Sequence, residues 1–356
     1  MNLKTALDTT AKEVEEILIS SPFPVGIEPE FLRRAVLDYP LRGGKRLRPA
    51  LTLWSCALLG GESKPLHAAA AIEVFHNFTL VHDDIIDDDA YRRGVPACHT
   101  ALANHAAATL GLNPTHAARF GRDFAILAGD LQIAWATSLM LASTVDNVSP
   151  ELAKALAARL QDYTAKELIS GEALDVHLSY RALDEISLDE VERMYQLKTG
   201  VLLAFAAETG AMIALNDTTC SAPETTALGR MAMAAAVGFQ MRDDYLGIFG
   251  DAAKFGKPLG SDLSERKVTW LLLKALAQLP DSGKRELSTM LGKAEYTPDE
   301  LDRARQLLTE SGAVTAAIKR ADELTAIARN ELARMPQNSY KALISDLLDY
   351  LLARNI

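Results

Sequence analysis

Long stretches in which apolar residues recur at helical spacing, separated by short segments rich in Gly and Pro, predict helices along almost the whole chain. Neither Gly nor Pro interrupts 66–89, and its residues 68–72, Val74, Phe75, Phe78, Leu80 and Val81 are largely apolar. That pattern predicts one buried helix. Residues 3–19 read as an amphipathic helix, which Ser21-Pro22-Phe23-Pro24-Val25-Gly26 ends. Residues 97–143 are helical with a break at Gly111-Leu112-Asn113-Pro114, and a further helix carries 166–175. Gly171 inside that helix costs about 1 kcal/mol relative to Ala, which predicts close approach of another element. Residues 194–215 are strongly apolar apart from Lys198-Thr199-Gly200, and the next helix starts near Glu224. Beyond Trp270 the helices, including 339–354, read as packing elements.

The predicted buried helix ends in His82-Asp83-Asp84-Ile85-Ile86-Asp87-Asp88-Asp89, five carboxylates in eight residues. On a helix, Asp83 and Asp87 lie one turn apart on one face, as do Asp84 and Asp88, and each such like-charge pair costs roughly 0.2–0.5 kcal/mol. With no Lys or Arg interleaved, a cation is expected there. Magnesium suits carboxylates that supply one or two oxygens while phosphates and waters complete its octahedron. Arg92-Arg93-Gly94 follows at once, and acids for a metal beside arginines for phosphate make a candidate diphosphate site. A second acidic pair, Asp243-Asp244, again follows an apolar run. Near the start, Gly43-Gly44-Lys45-Arg46-Leu47-Arg48-Pro49 combines glycines that let the backbone approach an anion with cations that bind one. His76 lies seven residues before Asp83, within about 20° of the same stripe.

Composition narrows the class. The 356 residues are 49% hydrophobic but only 6% aromatic, with abundant Ala and Leu, which favours helices over sheets. A net charge of −10 argues against nonspecific nucleic-acid binding. Cys56, Cys98 and Cys220 are widely spaced without a metal-ligand pattern, so a reducing, cytoplasmic setting is expected. No secretory signal is apparent at the N-terminus, and no transmembrane segment is expected.

Two Asp-Asp helices in one all-helical chain, preceded by a basic glycine motif, resemble the trans-isoprenyl diphosphate synthases, in the correct order from about Gly43 to Lys267. The resemblance implies an all-α isoprenoid-synthase helical bundle around a deep central cavity, one domain over 1–356 with an N-terminal helix and linker at 1–28, and a homodimer. Both aspartate helices would face each other at the cavity mouth. It implies Mg2+, three ions with substrate bound, held chiefly by Asp83, Asp87 and Asp243 with Asp84 and Asp244 beside them. Lys45, Arg48, His76 and Arg93 would hold isopentenyl diphosphate. Arg92, Lys198, Thr199, Gln240, Lys257 and Lys267 would hold the allylic diphosphate, whether dimethylallyl, geranyl or farnesyl. Catalysis would fall to Asp83, Asp87, Asp243, Lys198 and Lys257. Chain length would depend on Phe78 and Thr79, with Phe75 as another floor of the cavity.

The activity implied is prenyl transfer by ionisation, condensation and elimination, with geranylgeranyl diphosphate as the expected product. The alternatives are a farnesyl or longer polyprenyl diphosphate synthase and a noncatalytic subunit of a heteromeric synthase. Two positions depart from the family pattern: Glu172 stands where Gln is usual, and Gly247 where another Asp is usual.

Overall fold

The computed structural model describes residues 2–250, 260–293 and 295–352. Among these, the only strands are a two-residue antiparallel pair, Tyr91–Arg92 with Val95–Pro96. Everything else regular is helix, as the apolar periodicity predicts. The chain divides into two compact units, one of 1–161, 206–226 and 336–344, the other of 162–205, 227–335 and 345–356.

The first unit holds α1 (Leu3–Ser20), α2 (Glu30–Leu41), α3 (Leu47–Leu58), α4 (Leu66–Ile86), α5 (Cys98–Leu110), α6 (Pro114–Leu141) and α7 (Pro150–Arg159). Helix α4 packs on α1, α3 and α6. Its residues 68–72, Val74, Phe75, Phe78 and Val81 are buried, and Phe75 is wholly enclosed. Burying one such side chain contributes about 1.5–3 kcal/mol, so this helix is held by packing all round. The close approach of α6 depends on Gly129, where a Cβ would lie 2.2 Å from His82 Nε2.

The end of α4 differs from the expectation of a helix through Asp89. The last helical residue is Ile86, with Asp87 as C-cap. Asp88 then takes the left-handed conformation (φ 54°), and the Asp89 N–H donates to the Asp84 carbonyl at 2.9 Å. This is a Schellman closure, with Asp in the place usually taken by Gly, because a short polar side chain tolerates that backbone. Asp83 and Asp87 remain one turn apart, whereas Asp88 is carried away from the helical face of Asp84.

In the second unit, α8 (Lys166–Ser179) packs on a π-helical turn, Gln196–Gly200, which joins α9 (Leu188–Tyr195) to α10 (Val201–Leu215). The approach predicted from Gly171 is to this turn: a Cβ there would lie 2.3 Å from Lys198 N and 2.6 Å from the Leu197 carbonyl carbon. After α11 (Pro223–Phe249), whose residues from Ala227 on lie in this unit, α12 (Trp270–Gln278) packs on α9 and on the long helix Ala313–Ala333. Two stretches, Pro114–Asp146 and Leu188–Leu215, are long and apolar enough to cross a membrane by length and composition; the apolar window of the second is 78% buried and that of the first 44%.

Candidate active site

The first unit gathers cations around a histidine. Arg46 sits in the left-handed region (φ 47°) just before α3, buried, donating to Glu73 of α4 at 2.5 Å and to the Pro40 carbonyl at 2.5 Å. Its guanidinium is thus spent on the scaffold, and it pins the glycine loop to α4 three residues before His76. Arg48, the second residue of α3, has a buried Nε without a hydrogen-bond partner among the described residues. Burial pulls its pKa down, against the pull of Glu73. Arg93 (φ 55°) lays its guanidinium over Gly44, 3.2 Å from where a Cβ would be, and donates to the Gly43 carbonyl at 3.4 Å. Lys45 is exposed on the same loop. His76 is held well below the usual imidazole pKa, first by burial and then by Arg48, Arg92, Arg93 and Arg46. Cations clustered around an imidazole in this way suit an anionic ligand.

Beside it stand the acids at the C-terminal end of α4, where the helix's own carbonyl ends add negative potential. Asp83 and Asp87 are half-buried and Asp84 is fully buried. Arg92 Nε donates to Asp84 Oδ1 at 2.6 Å, while the Tyr39 hydroxyl donates to Asp84 Oδ2. Phe78 is buried edge-to-face on Phe75 (centroids 4.7 Å) and touches the His82 ring at 5.6 Å. The Thr79 hydroxyl bonds back to the His76 carbonyl at 2.7 Å.

In the second unit a cavity of ≈ 200 Å³ is lined by Asp175, Lys198, Thr199, Gln240, Asp243, Asp244, Asp262 and Lys267, among others. The π-turn presents Lys198, whose Nζ lies 2.7 Å from Glu172 Oε2 and 2.6 Å from Asp175 Oδ2. Thr199 donates to Gln240 at 3.1 Å, and the Gln240 amide donates to Asp244 Oδ1 at 2.9 Å. The Tyr195 hydroxyl donates to Asp244 Oδ2. Burial, then the charge of Asp262, pushes Asp244 up to about 8. Lys267 pairs with Glu265 at 2.9 Å. At Gly247, in the place of the family's further Asp, the carbonyl accepts the Gly260 N–H at 2.8 Å. Lys257 lies outside the described residues.

The polyprenyl synthetase family model matches residues 30–308. The chain belongs to the polyprenyl synthetase family. Among its relatives in this family, geranylfarnesyl diphosphate synthase of Aeropyrum pernix is 34% identical over 335 residues, 93% of this chain and 96% of that protein. Geranylgeranyl pyrophosphate synthase of Geoglobus acetivorans is also 34% identical, over 97% of this chain and 95% of its own. The crystal structure of the geranylgeranyl pyrophosphate synthase of Corynebacterium glutamicum, complexed with isoprenyl diphosphate and magnesium, matches with a TM-score of 0.86 at 25% identity over 100% of both chains. The protein is therefore a prenyltransferase with the helical isoprenoid-synthase fold.

Within this polyprenyl synthetase, the structure brings Arg48, His76, Arg92 and Arg93 together in one unit and Lys198, Thr199, Gln240, Asp243, Asp244 and Lys267 in the other. Sequence reading missed Tyr39, Tyr195 and Glu73, and it did not foresee that Glu172 pairs with Lys198. A single Tyr or Glu in a helix carries no spacing signal, and its partners lie 27 or more residues away.

Proposed function

We propose that this synthetase joins isopentenyl diphosphate to an allylic diphosphate and stops at geranylgeranyl diphosphate. The observation that carries the reading is the gathering of Arg48, Arg92 and Arg93 around His76 beside the paired acids Asp83 and Asp87. Among the described residues no three His, Cys, Asp or Glu side chains converge on a metal position. The paired carboxylates Asp83 and Asp87 suit magnesium, which takes few carboxylates and completes its shell with water and phosphate. Asp83 and Asp87 would hold two such ions in the first unit, and Asp243 a third in the second. Held there, magnesium would supply Lewis-acid neutralisation of charge on the departing diphosphate.

The chain's own residues do the rest. In the second unit Lys198, Lys257 and Lys267 stabilise the leaving diphosphate through charge-assisted hydrogen bonds, with Thr199 and Gln240 orienting it, and in the first unit Arg92 is a further diphosphate-binding cation. Lys45, Arg48, His76 and Arg93 hold isopentenyl diphosphate so that its double bond meets the allylic carbon, a proximity effect. The proton lost at the end goes to the released diphosphate. Phe78, packed on Phe75, sets the length at which the growing chain stops.

A second copy of the chain is the natural cover for the outer face of α6, where Ile126, Leu127 and Leu141 are 44–47% exposed. The cysteines described are all unpaired, in keeping with a cytoplasmic enzyme. The test is incubation of the purified chain with magnesium, isopentenyl diphosphate and each allylic starter in turn. A C20 product supports the reading, and no extended product at all would sink it. Phe78→Ala should lengthen the product; an unchanged distribution removes Phe78 as the stop.

A further inference from the structure

A tyrosine performs the same connection in each unit. Tyr39, in α2, donates its hydroxyl to Asp84 and accepts the N–H of Cys98, the first residue of α5, at 3.1 Å. Tyr195, the last residue of α9, donates to Asp244 and accepts the N–H of Trp270, the first residue of α12, at 2.9 Å. The tyrosine precedes its aspartate by 45 residues in one case and 49 in the other. Both rings are buried, at 4% and 3% exposure, so neither hydroxyl has water as an easy substitute. The first N–H of a helix has no partner within its own helix. One hydroxyl therefore satisfies the helix start and couples it to the acid. The segment leading into that helix carries Arg92 and Arg93 in the first unit and Lys267 in the second.

We propose that Tyr39 and Tyr195 are paired positioning residues. Each holds one carboxyl oxygen of the second aspartate of its Asp-Asp pair and fastens to it the helix start behind the diphosphate-binding cations. The first aspartate, Asp83 or Asp243, is the one that binds the ligand. This rests on the prenyl-transfer reading above.

The test compares wild type, Tyr195→Phe, Asp244→Asn, their double variant and Asp243→Asn, with Tyr39→Phe as the counterpart. Each is titrated calorimetrically with inorganic pyrophosphate in excess magnesium, melted without ligand, and assayed for KM and kcat. Partners of this kind typically alter affinity about 10-fold or more. Tyr195→Phe and Asp244→Asn should weaken pyrophosphate binding similarly, about 10-fold, with the double variant no worse than the weaker single. Asp243→Asn should be weaker than either, and Tyr39→Phe should also lose affinity.

An Asp244→Asn variant as damaged as Asp243→Asn would make Asp244 a ligand and overturn the proposal. So would Tyr→Phe variants that melt lower yet bind and turn over like wild type. Should Tyr195→Phe not fold, the comparison of Asp244→Asn with Asp243→Asn decides. A wild-type chain that makes no prenyl product sinks the functional reading, whereas wild-type turnover with unaffected Tyr→Phe variants sinks this inference alone.

Discussion

Asp84 at the end of α4 lies between the Tyr39 hydroxyl and the guanidinium of Arg92, while Asp244 in α11 lies between the Tyr195 hydroxyl and the neutral amide of Gln240. The tyrosine connection is the same, but the second partner is a cation in one case and an amide in the other. A guanidinium makes buried charge tolerable; an amide does so only in part, and Asp262 works against it. Asp84 thus has a counter-charge in direct contact. Asp244 shares its cavity with Lys198 and Lys267, but its hydrogen-bond partners among the described residues are a hydroxyl and a neutral amide. Lys198 shows the same imbalance from the other side, since two carboxylates, Glu172 and Asp175, hold one ammonium.

Replacing residues on either side of this comparison should separate the two sites, beginning with the largest effect. Asp83→Ala should lower turnover by about 10³-fold or more, measured as product formed at saturating substrates, because two developing charges lose a shared metal ligand. Near-normal activity would show that the α4 acids are not where the diphosphate is held. Arg46→Ala should cost about 3–5 kcal/mol in denaturant unfolding, since it leaves Glu73 buried and unpaired. A loss below about 1 kcal/mol would mean that water reaches Glu73.

Gly171→Ala comes next. The added methyl must displace the backbone at Leu197 and Lys198, at a cost of about 1–3 kcal/mol. It should lower kcat for prenyl transfer more than it raises the KM for isopentenyl diphosphate, because the turn that moves carries Lys198. Equal effects on both would detach Lys198 from the leaving group.

The last effect is one of pH. With its pKa raised from 3.8 to about 8, folded Asp244 keeps a proton that the unfolded chain has lost, so this group's contribution to stability falls as pH rises from about 4 to about 8. The limiting slope is about 1.4 kcal/mol per pH unit. Asp244→Asn cannot ionise, and without ligand its melting temperature should gain on that of wild type between pH 6 and 8. A constant gap across that range would show Asp244 already charged, and the contrast with Asp84 would disappear.

Much of this was legible in the sequence. The all-helical fold followed from unbroken apolar periodicity, the family from two Asp-Asp motifs and a basic glycine loop in order, and the close approach at Gly171 from the cost of a mid-helix glycine. Three features were not. The α4 helix ends at Ile86 because Asp88 adopts a left-handed backbone, a choice that depends on the closing hydrogen bond from Asp89 as well as on residue type. Arg46, which reads as one more cation of an anion loop, is taken up by a buried pair with Glu73. Glu172, which reads as a departure from the family pattern, is half of the clamp on Lys198.

The sequence by itself determined which helices form, which residue types bear the chemistry and in what order they occur, since periodicity and local charge are properties of neighbours along the chain. Only the tertiary structure decided which aspartate of each pair is turned inward, which arginine serves the scaffold and which tyrosine connects an acid to a helix start. Those choices depend on partners 27 to 75 residues distant, and a hydrogen bond across such a span is made by packing that no local pattern encodes.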